Sequence, residues 1–344
     1  MVEKSKLVVS GRRRFVRGTL ASLGGMATAP FILRSALGAA PVHELKMTMA
    51  EVRTHPVYPV LLQFSADVLH RTNGAVSIKV YGAGELGSEA NGLTGIRTGI
   101  TDLVCTSTGF IETIYPQVAV LDLPYLFKTD AQAEKVLDGP VGQDLFALFP
   151  PKGIYGLCWG HWGWRPITHV SKSIQDPKEI AGTKIRIQPG AIFAATYKAL
   201  DANPVVIDLS ETYLALSEHA VDAVELPLIS IVAGKYYEVA KHVSLTNFVY
   251  NAGAIMASKR SFDRLEKPYQ TAIREAALAI APVWRATVTQ KTADAISFVK
   301  TNGCTVANVN QSAYAKALQP VYQKYGPIVG EDLVQRIQSQ IAAG

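Results

Sequence analysis

Short strand-patterned runs alternate with helix-patterned ones along most of this chain, and that alternation limits the fold more than any other feature. It is the signature of α/β architecture. Residues 45–49 read as a first strand, and 59–71 have helical spacing that stops at Thr72-Asn73-Gly74, a helix end followed by a turn. Residues 76–81, Val-Ser-Ile-Lys-Val-Tyr, alternate like a half-buried strand. Ser88 is placed to cap a helix running to Thr98, and 103–106 are apolar enough for a buried strand. Thr129 with Gln132 makes a capping-box start for a helix to about Leu137.

A second set of units begins near residue 154. Strands are predicted at 154–159, 182–187, 221–224 and 249–258, with helices at 192–200 and 211–219, the latter framed by Asp208 and Glu211. Residues 266–300 then hold one helical pattern, interrupted only by Pro282, which removes a backbone bond and usually kinks a helix. At about 1.5 Å per residue, such a helix is long enough to span two lobes. The 344 residues suffice for two domains of ordinary size. The sequence shows neither an internal repeat nor a low-complexity linker.

The first 40 residues have a different character. The basic run Arg12-Arg13-Arg14-Phe15-Val16-Arg17 precedes a modestly apolar stretch at 18–33, and small residues follow at 36–40. This is the three-part layout of an export signal. The paired arginines resemble a twin-arginine signal, although Gly11 stands where such signals prefer Ser or Thr. Gly24-Gly25, Thr28, Pro30 and Arg34 make the stretch too short and weak for a membrane anchor, which needs about 20 apolar residues. The formal charge of +6 comes from this segment. Of 34 basic and 28 acidic residues, seven and one lie in 1–40, which leaves 27 of each. A balanced remainder gives no electrostatic case for binding nucleic acid.

Three cysteines, Cys105, Cys158 and Cys304, are too few and too scattered for a disulfide framework or a metal site, and they read as small buried residues. No nucleophile elbow, zinc signature or phosphate-binding loop occurs, so no catalytic residue, metal or cofactor is expected. Gly82-Ala83-Gly84-Glu85-Leu86-Gly87 matches a dinucleotide fingerprint letter for letter, but it opens no early dinucleotide unit and reads as a loop.

Several segments, in order and spacing, match one pattern: Thr72-Asn73-Gly74, Gly84-Glu85-Leu86-Gly87, Gly99-Ile100-Thr101-Asp102-Leu103, and Leu121-Asp122-Leu123-Pro124-Tyr125-Leu126-Phe127. Trp162-Gly163-Trp164-Arg165, Gly182-Thr183-Lys184-Ile185-Arg186, Ala202-Asn203-Pro204 and Ser210-Glu211-Thr212-Tyr213 continue it. Over residues 45–340 the chain resembles the solute-binding proteins of TRAP transporters, the dicarboxylate-binding (DctP) type. The resemblance implies a two-lobed periplasmic-binding-protein-like α/β fold, with a ligand cleft between lobes and a long helix shared by both. It implies a first lobe of residues 41–163 plus 252–290, and a second of 164–251 plus 291–344 with the C-terminal helices packed across both. It further implies a periplasmic protein that carries a small organic carboxylate to membrane-embedded TRAP permease subunits; a monomer is the default expectation, since the sequence does not set the oligomeric state. A ligand sensor of a membrane signalling system is the alternative, and an exported enzyme acting on organic acids a weaker one.

A carboxylate taken out of water needs charge-assisted donors, and the planar fork of Arg supplies two at once. By the resemblance, Arg186 is the Arg that grips the ligand carboxylate, and Arg165 is a second ligand contact. The family commonly has Asn in a Glu-Asn-Pro segment where this chain has Glu225-Leu226-Pro227. Leu226 removes a hydrogen-bonding group from the expected pocket, which favours a monocarboxylate or oxo acid with an apolar, even aromatic, body. Glu51 and His55 follow the first strand, where the family lines its pocket. Thr108, Gly109 and Phe110 follow the buried strand, a place suited to hydroxyl and backbone donors beside an aromatic wall. Leu209, Tyr213, Tyr250 and Asn251 are further wall candidates, whereas His161 and His169 read as surface or core residues.

Overall fold

The computed structural model describes residues 43–342, so the export-signal reading of residues 1–40 lies outside the described residues. The strands are β1 (His43–Thr48), β2 (Val76–Tyr81), β3 (Leu103–Ser107), β4 (Ile154–Trp164), β5 (Ile167–His169), β6 (Lys184–Ile187), β7 (Asn203–Val206), β8 (Ala223–Glu225), β9 (His242–Leu245), β10 (Tyr250–Ser258) and β11 (Thr305–Asn308). The helices are α1 (Val57–Arg71), α2 (Glu89–Thr98), α3 (Thr108–Ile111), α4 (Asp130–Asp138), α5 (Pro140–Ala147), α6 (Ala191–Lys198), α7 (Leu209–Ser217), α8 (Leu228–Ala233), α9 (Lys259–Phe262), α10 (Lys267–Thr301), α11 (Gln311–Ala317), α12 (Gln319–Val329) and α13 (Glu331–Ala342). Among the described residues no helix is long and apolar enough to cross a membrane.

The strands form two sheets. The first has five strands in the order β2-β1-β3-β10-β4, and the second has six in the order β11-β9-β5-β8-β6-β7. β1, β2 and β3 run parallel, and β10 lies antiparallel between β3 and β4. In the second sheet β6 is parallel to β7 and β8, while β5 is antiparallel to β8 and β9. All residues of β3 and β10 are buried, as expected of central strands covered on both faces. The chain passes from the first sheet to the second at Arg165-Pro166, returns through residues 246–249, and passes over again after α10 into β11. The alternating pattern thus resolves into two layered α/β units.

Local chemistry accounts for the element ends. Ser88 accepts a hydrogen bond from Asn91 N, and Thr129 from Gln132 N, as their cap positions predict. Asp208 makes no side-chain cap; α7 begins at once with Leu209, and Thr212 bonds back to the Asp208 carbonyl at 2.9 Å. β4 runs five residues past its predicted end because antiparallel pairing with β10 carries it to Trp164. The strands β5, β7, β9 and β11 have only three or four residues each, too few to show a period in sequence. The Gly82–Gly87 segment is the loop that follows β2, not a nucleotide fingerprint.

The pairing of β4 with β10 contains a bulge. Tyr250 faces Trp164 and Ala252 faces His161, so Trp162 and Gly163 together oppose Asn251. Gly163 has φ +114°, which only glycine adopts without strain.

α10 is 35 residues long and continues through Pro282. It packs on β4, α1, α8 and β11. Arg285 anchors it with two 2.6 Å bonds to Asp138 and one of 3.0 Å to the Trp159 carbonyl. The C-terminal residues divide between the two layers. β11 joins the second sheet, whereas α13 packs on α4 and α5, with Gln340 donating to the Lys135 carbonyl.

Trp284 of α10 is fully buried and meets Trp162 edge-on at 5.6 Å. It lies so close to β4 that a Cβ added at Gly160 would sit 2.1 Å from its ring. Gly160→Ala is therefore expected to destabilise the fold by about 1–3 kcal/mol, or several degrees in Tm at roughly 2–4 °C per kcal/mol. A thermal melt checks this; an unchanged Tm would show that the α10–β4 seam has slack.

Candidate functional site

A cavity with about 400 Å³ of empty space lies where the two sheets meet. The first sheet and its loops contribute Ala50, Glu51, Glu89, Cys105, Ser107, Phe110, Trp162 and Asn251. The second contributes Arg186, Gln188, Leu209, Leu226, Pro227 and Ser230, with Arg165 at the first crossing between them. The bulge in β4 and β10 explains two of these. It brings Trp162 and Asn251 to the same wall, as bulges beside sites commonly re-aim side chains. The cavity is narrow and walled by both sheets, so entry of a ligand requires the walls to part.

The two arginines are both 1% exposed but differ in how their donors are used. Arg165 uses four of its five N–H donors. Its Nε and Nη2 donate to the Glu225 carboxylate, Nη2 also donates to the Glu225 carbonyl at 2.6 Å, and Nη1 donates to Asn251 Oδ1 at 2.7 Å. Its guanidinium lies 5.2 Å from the centre of the Phe193 ring. Burial pushes the Glu225 carboxyl up, and Arg165 opposes that.

Arg186 instead donates once, from Nε to the Ile207 carbonyl at 2.9 Å. Its other four N–H groups have no acceptor, and it makes no ion pair, among the described residues. Burial lowers its pKa to about 10, helped by the neighbouring Arg165 charge, so it is still a cation at neutral pH. A buried guanidinium with four free donors and no carboxylate at ion-pair distance among the described residues is costly, and a carboxylate is the group that answers it.

Other unmatched groups surround it. Asn251 Nδ2, Gln188 Nε2 and Trp162 Nε1 are buried donors without partners. Glu89 Oε1 accepts from Thr106 Oγ1 and from Ser107 N, which opposes the rise that burial imposes on its carboxyl. Burial likewise raises Glu51, against its hydrogen bond from Ser230. Phe110, Leu209, Leu226, Pro227, Cys105 and Ala50 form the apolar part of the wall. Among the described residues no cluster of His, Cys, Asp or Glu is arranged to hold a metal.

Of the twelve residues the sequence offered for the pocket, seven line the cavity: Arg186, Arg165, Leu226, Phe110, Glu51, Leu209 and Asn251. The others do not. Thr108 is fully buried and turned away, donating to Asp122 Oδ1 at 2.6 Å and lying 3.2 Å from the Ala252 carbonyl, so it ties α3 to its own lobe. Tyr213 is 36% exposed on the outer face of α7, where its hydroxyl meets Glu238 at 3.2 Å. Gly109 packs against Gln188 and Pro189, and Tyr250 stacks on His161 in the core. His161 and His169 are buried, and burial holds both near pKa 4. Sequence reasoning missed Glu89, Gln188 and Ser230. Ser230, a lone hydroxyl within Leu228-Ile229-Ser230-Ile231-Val232, was the one visible signal.

Residues 47–327 match the family model for bacterial extracellular solute-binding protein, family 7 (DctP). A solute-binding protein of Verminephrobacter eiseniae is 31% identical over 277 residues, 80% of this chain and 83% of the relative. The 2,3-diketo-L-gulonate-binding periplasmic protein YiaO of Escherichia coli is 30% identical over 257 residues, 74% and 78% of the two chains. Among solved structures, the sugar acid binding protein DctPAm of Advenella mimigardefordensis, in complex with galactonate, superposes with a TM-score of 0.86 at 27% identity, over 89% of this chain and 99% of that one. A TRAP periplasmic solute-binding protein of Bordetella, with density interpreted as pantoate, gives 0.84 at 27% identity, over 87% and 99%. With its two sheets, its shared long helix and a cleft between them, the chain belongs to the DctP family of TRAP-type periplasmic solute-binding proteins.

Proposed function

We propose that this protein captures a small monocarboxylate with an apolar body and delivers it to the membrane-embedded permease subunits of a TRAP transporter. One observation carries the reading: Arg186 is buried in the cavity with a free guanidinium fork. Its Nη1 and Nη2 take the two carboxylate oxygens, and Asn251 Nδ2 and Gln188 Nε2 are placed to donate to further oxygens of the ligand. Arg165 lines the cavity, but its charge is already matched by Glu225; its part is to hold Asn251 with the amide donor free. Leu226, Phe110, Leu209 and Trp162 receive the apolar body. Arg186 is the one cavity cation without an ion pair among the described residues, so the cavity matches one carboxylate better than two. Pantoate, named for the Bordetella neighbour, is a carboxylate on a branched carbon skeleton and exemplifies this class.

The lobes open by bending at the three crossings, admit the ligand and close over it. Closure is favoured by the ligand's greater affinity for the closed form, in which Arg186 is desolvated against the carboxylate. The closed surface then docks on the permease. Residues 1–40 direct the chain across the inner membrane, and the mature protein works in the periplasm as a monomer. No group in the cavity is assigned a catalytic role.

A thermal-shift screen of the mature protein against organic acids and their amides tests the class. A ligand at 100 times its Kd adds about 2.7 kcal/mol of stability. Stabilisation by an apolar-bodied acid and not by its amide is expected; stabilisation by neutral or cationic solutes alone overturns the reading. Arg186→Ala should weaken binding of any acid so found by about thirtyfold or more, and Arg186→Lys by less, since Lys keeps the charge and loses the fork. Calorimetric titration measures both. Leu226→Asn should shift preference toward polyhydroxylated sugar acids by about tenfold, the worth of one buried hydrogen bond; an unchanged preference would remove Leu226 from the selectivity argument.

A further inference from the structure

A chain of hydrogen bonds beside the carboxylate clamp ends on Glu51. Val57 N–H donates to His55 Nδ1 at 3.2 Å, so that nitrogen carries no proton and the ring proton sits on Nε2. Burial lowers the His55 pKa to about 3, which keeps the ring neutral. Nε2 lies 3.3 Å from Ser230 Oγ, and Ser230 Oγ lies 2.6 Å from Glu51 Oε1. With Nε2–H given to the Ser230 oxygen, the hydroxyl proton is free for Glu51. Each donor in the series therefore points toward the carboxyl.

The arrangement is built to hold still. His55 and Ser230 are both fully buried, and the His55 ring meets Trp162 edge-on at 5.4 Å. Ser230 comes from α8, on the second-sheet side, whereas Glu51 and His55 lie in the loop after β1. A hydroxyl in so apolar a helix is destabilising unless partnered, and an ordinary helical Ser bonds back to its own helix. Glu51 Oε2 has no partner among the described residues, and Glu51 lines the same cavity as Arg186.

We infer that Ser230 and His55 are positioning residues that aim Glu51 at a hydroxyl on the bound carboxylate, and that Glu51 selects ligands carrying that hydroxyl. The inference rests on the cavity assigned above. A hydroxyl both donates and accepts, so it satisfies Glu51 whether the carboxyl is ionised or protonated. An apolar group there leaves a buried oxygen unmatched, and a second carboxylate meets like charge.

The test is calorimetric titration with matched acids that differ in hydroxylation: pantoate against 3,3-dimethylbutanoate, 2-hydroxy-4-methylpentanoate against 4-methylpentanoate, and lactate against propanoate. The hydroxy member of at least one pair should bind about tenfold or more tighter than its partner. Ser230→Ala, His55→Phe and Glu51→Met should each shrink that ratio at least about fivefold, with most of the loss on the hydroxy acid. Ser230→Thr should restore it, and Ser230→Ala should change nothing further in a Glu51→Met background. Equal binding within every pair, binding by none, or a loss shared equally by both members overturns the inference. Arg186→Ala separates this failure from that of the clamp, because it weakens both members of a pair alike if the clamp stands.

Discussion

The buried pair of Arg165 and Glu225 is the interaction on which the arrangement of this molecule depends. Arg165 sits where the chain leaves the first sheet. Its fork holds Glu225 at the end of β8 in the second sheet and Asn251 on β10 in the first. Arg165 N also bonds to the Val249 carbonyl, and Thr246 Oγ1 reaches the Arg165 carbonyl, so two of the three crossings are fastened to one another. A buried ion pair adds little net stability against an apolar replacement, but breaking one by removing a partner leaves an uncompensated charge and costs several kcal/mol. Its value here is geometric. It fixes how the two sheets stand at the pivot and matches the charge of Arg165 with a carboxylate.

With Arg165 ion-paired to Glu225, the neighbouring Arg186 is the one left to attract anions. Two guanidiniums near one another repel, and the one without a carboxylate is held down in pKa by burial and by the other's charge. The protein has concentrated its unmet need for negative charge on the Nη groups of a single residue. The nearby carboxyls form no ion pair with it: Glu89 Oε1 is taken by Thr106 and Ser107, and Glu51 Oε1 by Ser230. The cavity is thus a set of donors waiting for oxygens, backed by an apolar wall, and its selectivity follows from which donors and which apolar groups stand side by side.

Much of this was legible in the sequence, and the reasons it was not wholly so are physical. The capped helices at Ser88 and Thr129 and the long helix through Pro282 announce themselves by local rules. Arg186 stands out because a charge at the end of an apolar strand needs a reason. Thr108 and Tyr213 were misplaced because a position near a strand end does not give the direction of a side chain. Thr108 turns inward to Asp122, and Tyr213 falls on the outer face of α7. Arg165 was placed in the cavity correctly, but its pairing with Glu225 joins residues sixty positions apart, and no periodicity encodes that. Gln188 and Ser230 come to the cavity by tertiary packing alone.

The position of β10 has a consequence for how the chain acquires its structure. The first sheet is begun by residues 43–107, yet the strand that joins β3 to β4 is drawn from residues 250–258. Until that segment arrives, β3 and β4 expose unpaired edges and the first lobe has no closed core. The second sheet in turn waits for β11, at residues 305–308. Neither lobe is therefore a vectorial folding unit that forms as the chain emerges. Contacts of such long sequence separation form slowly, so each lobe closes only after its last strand has been made.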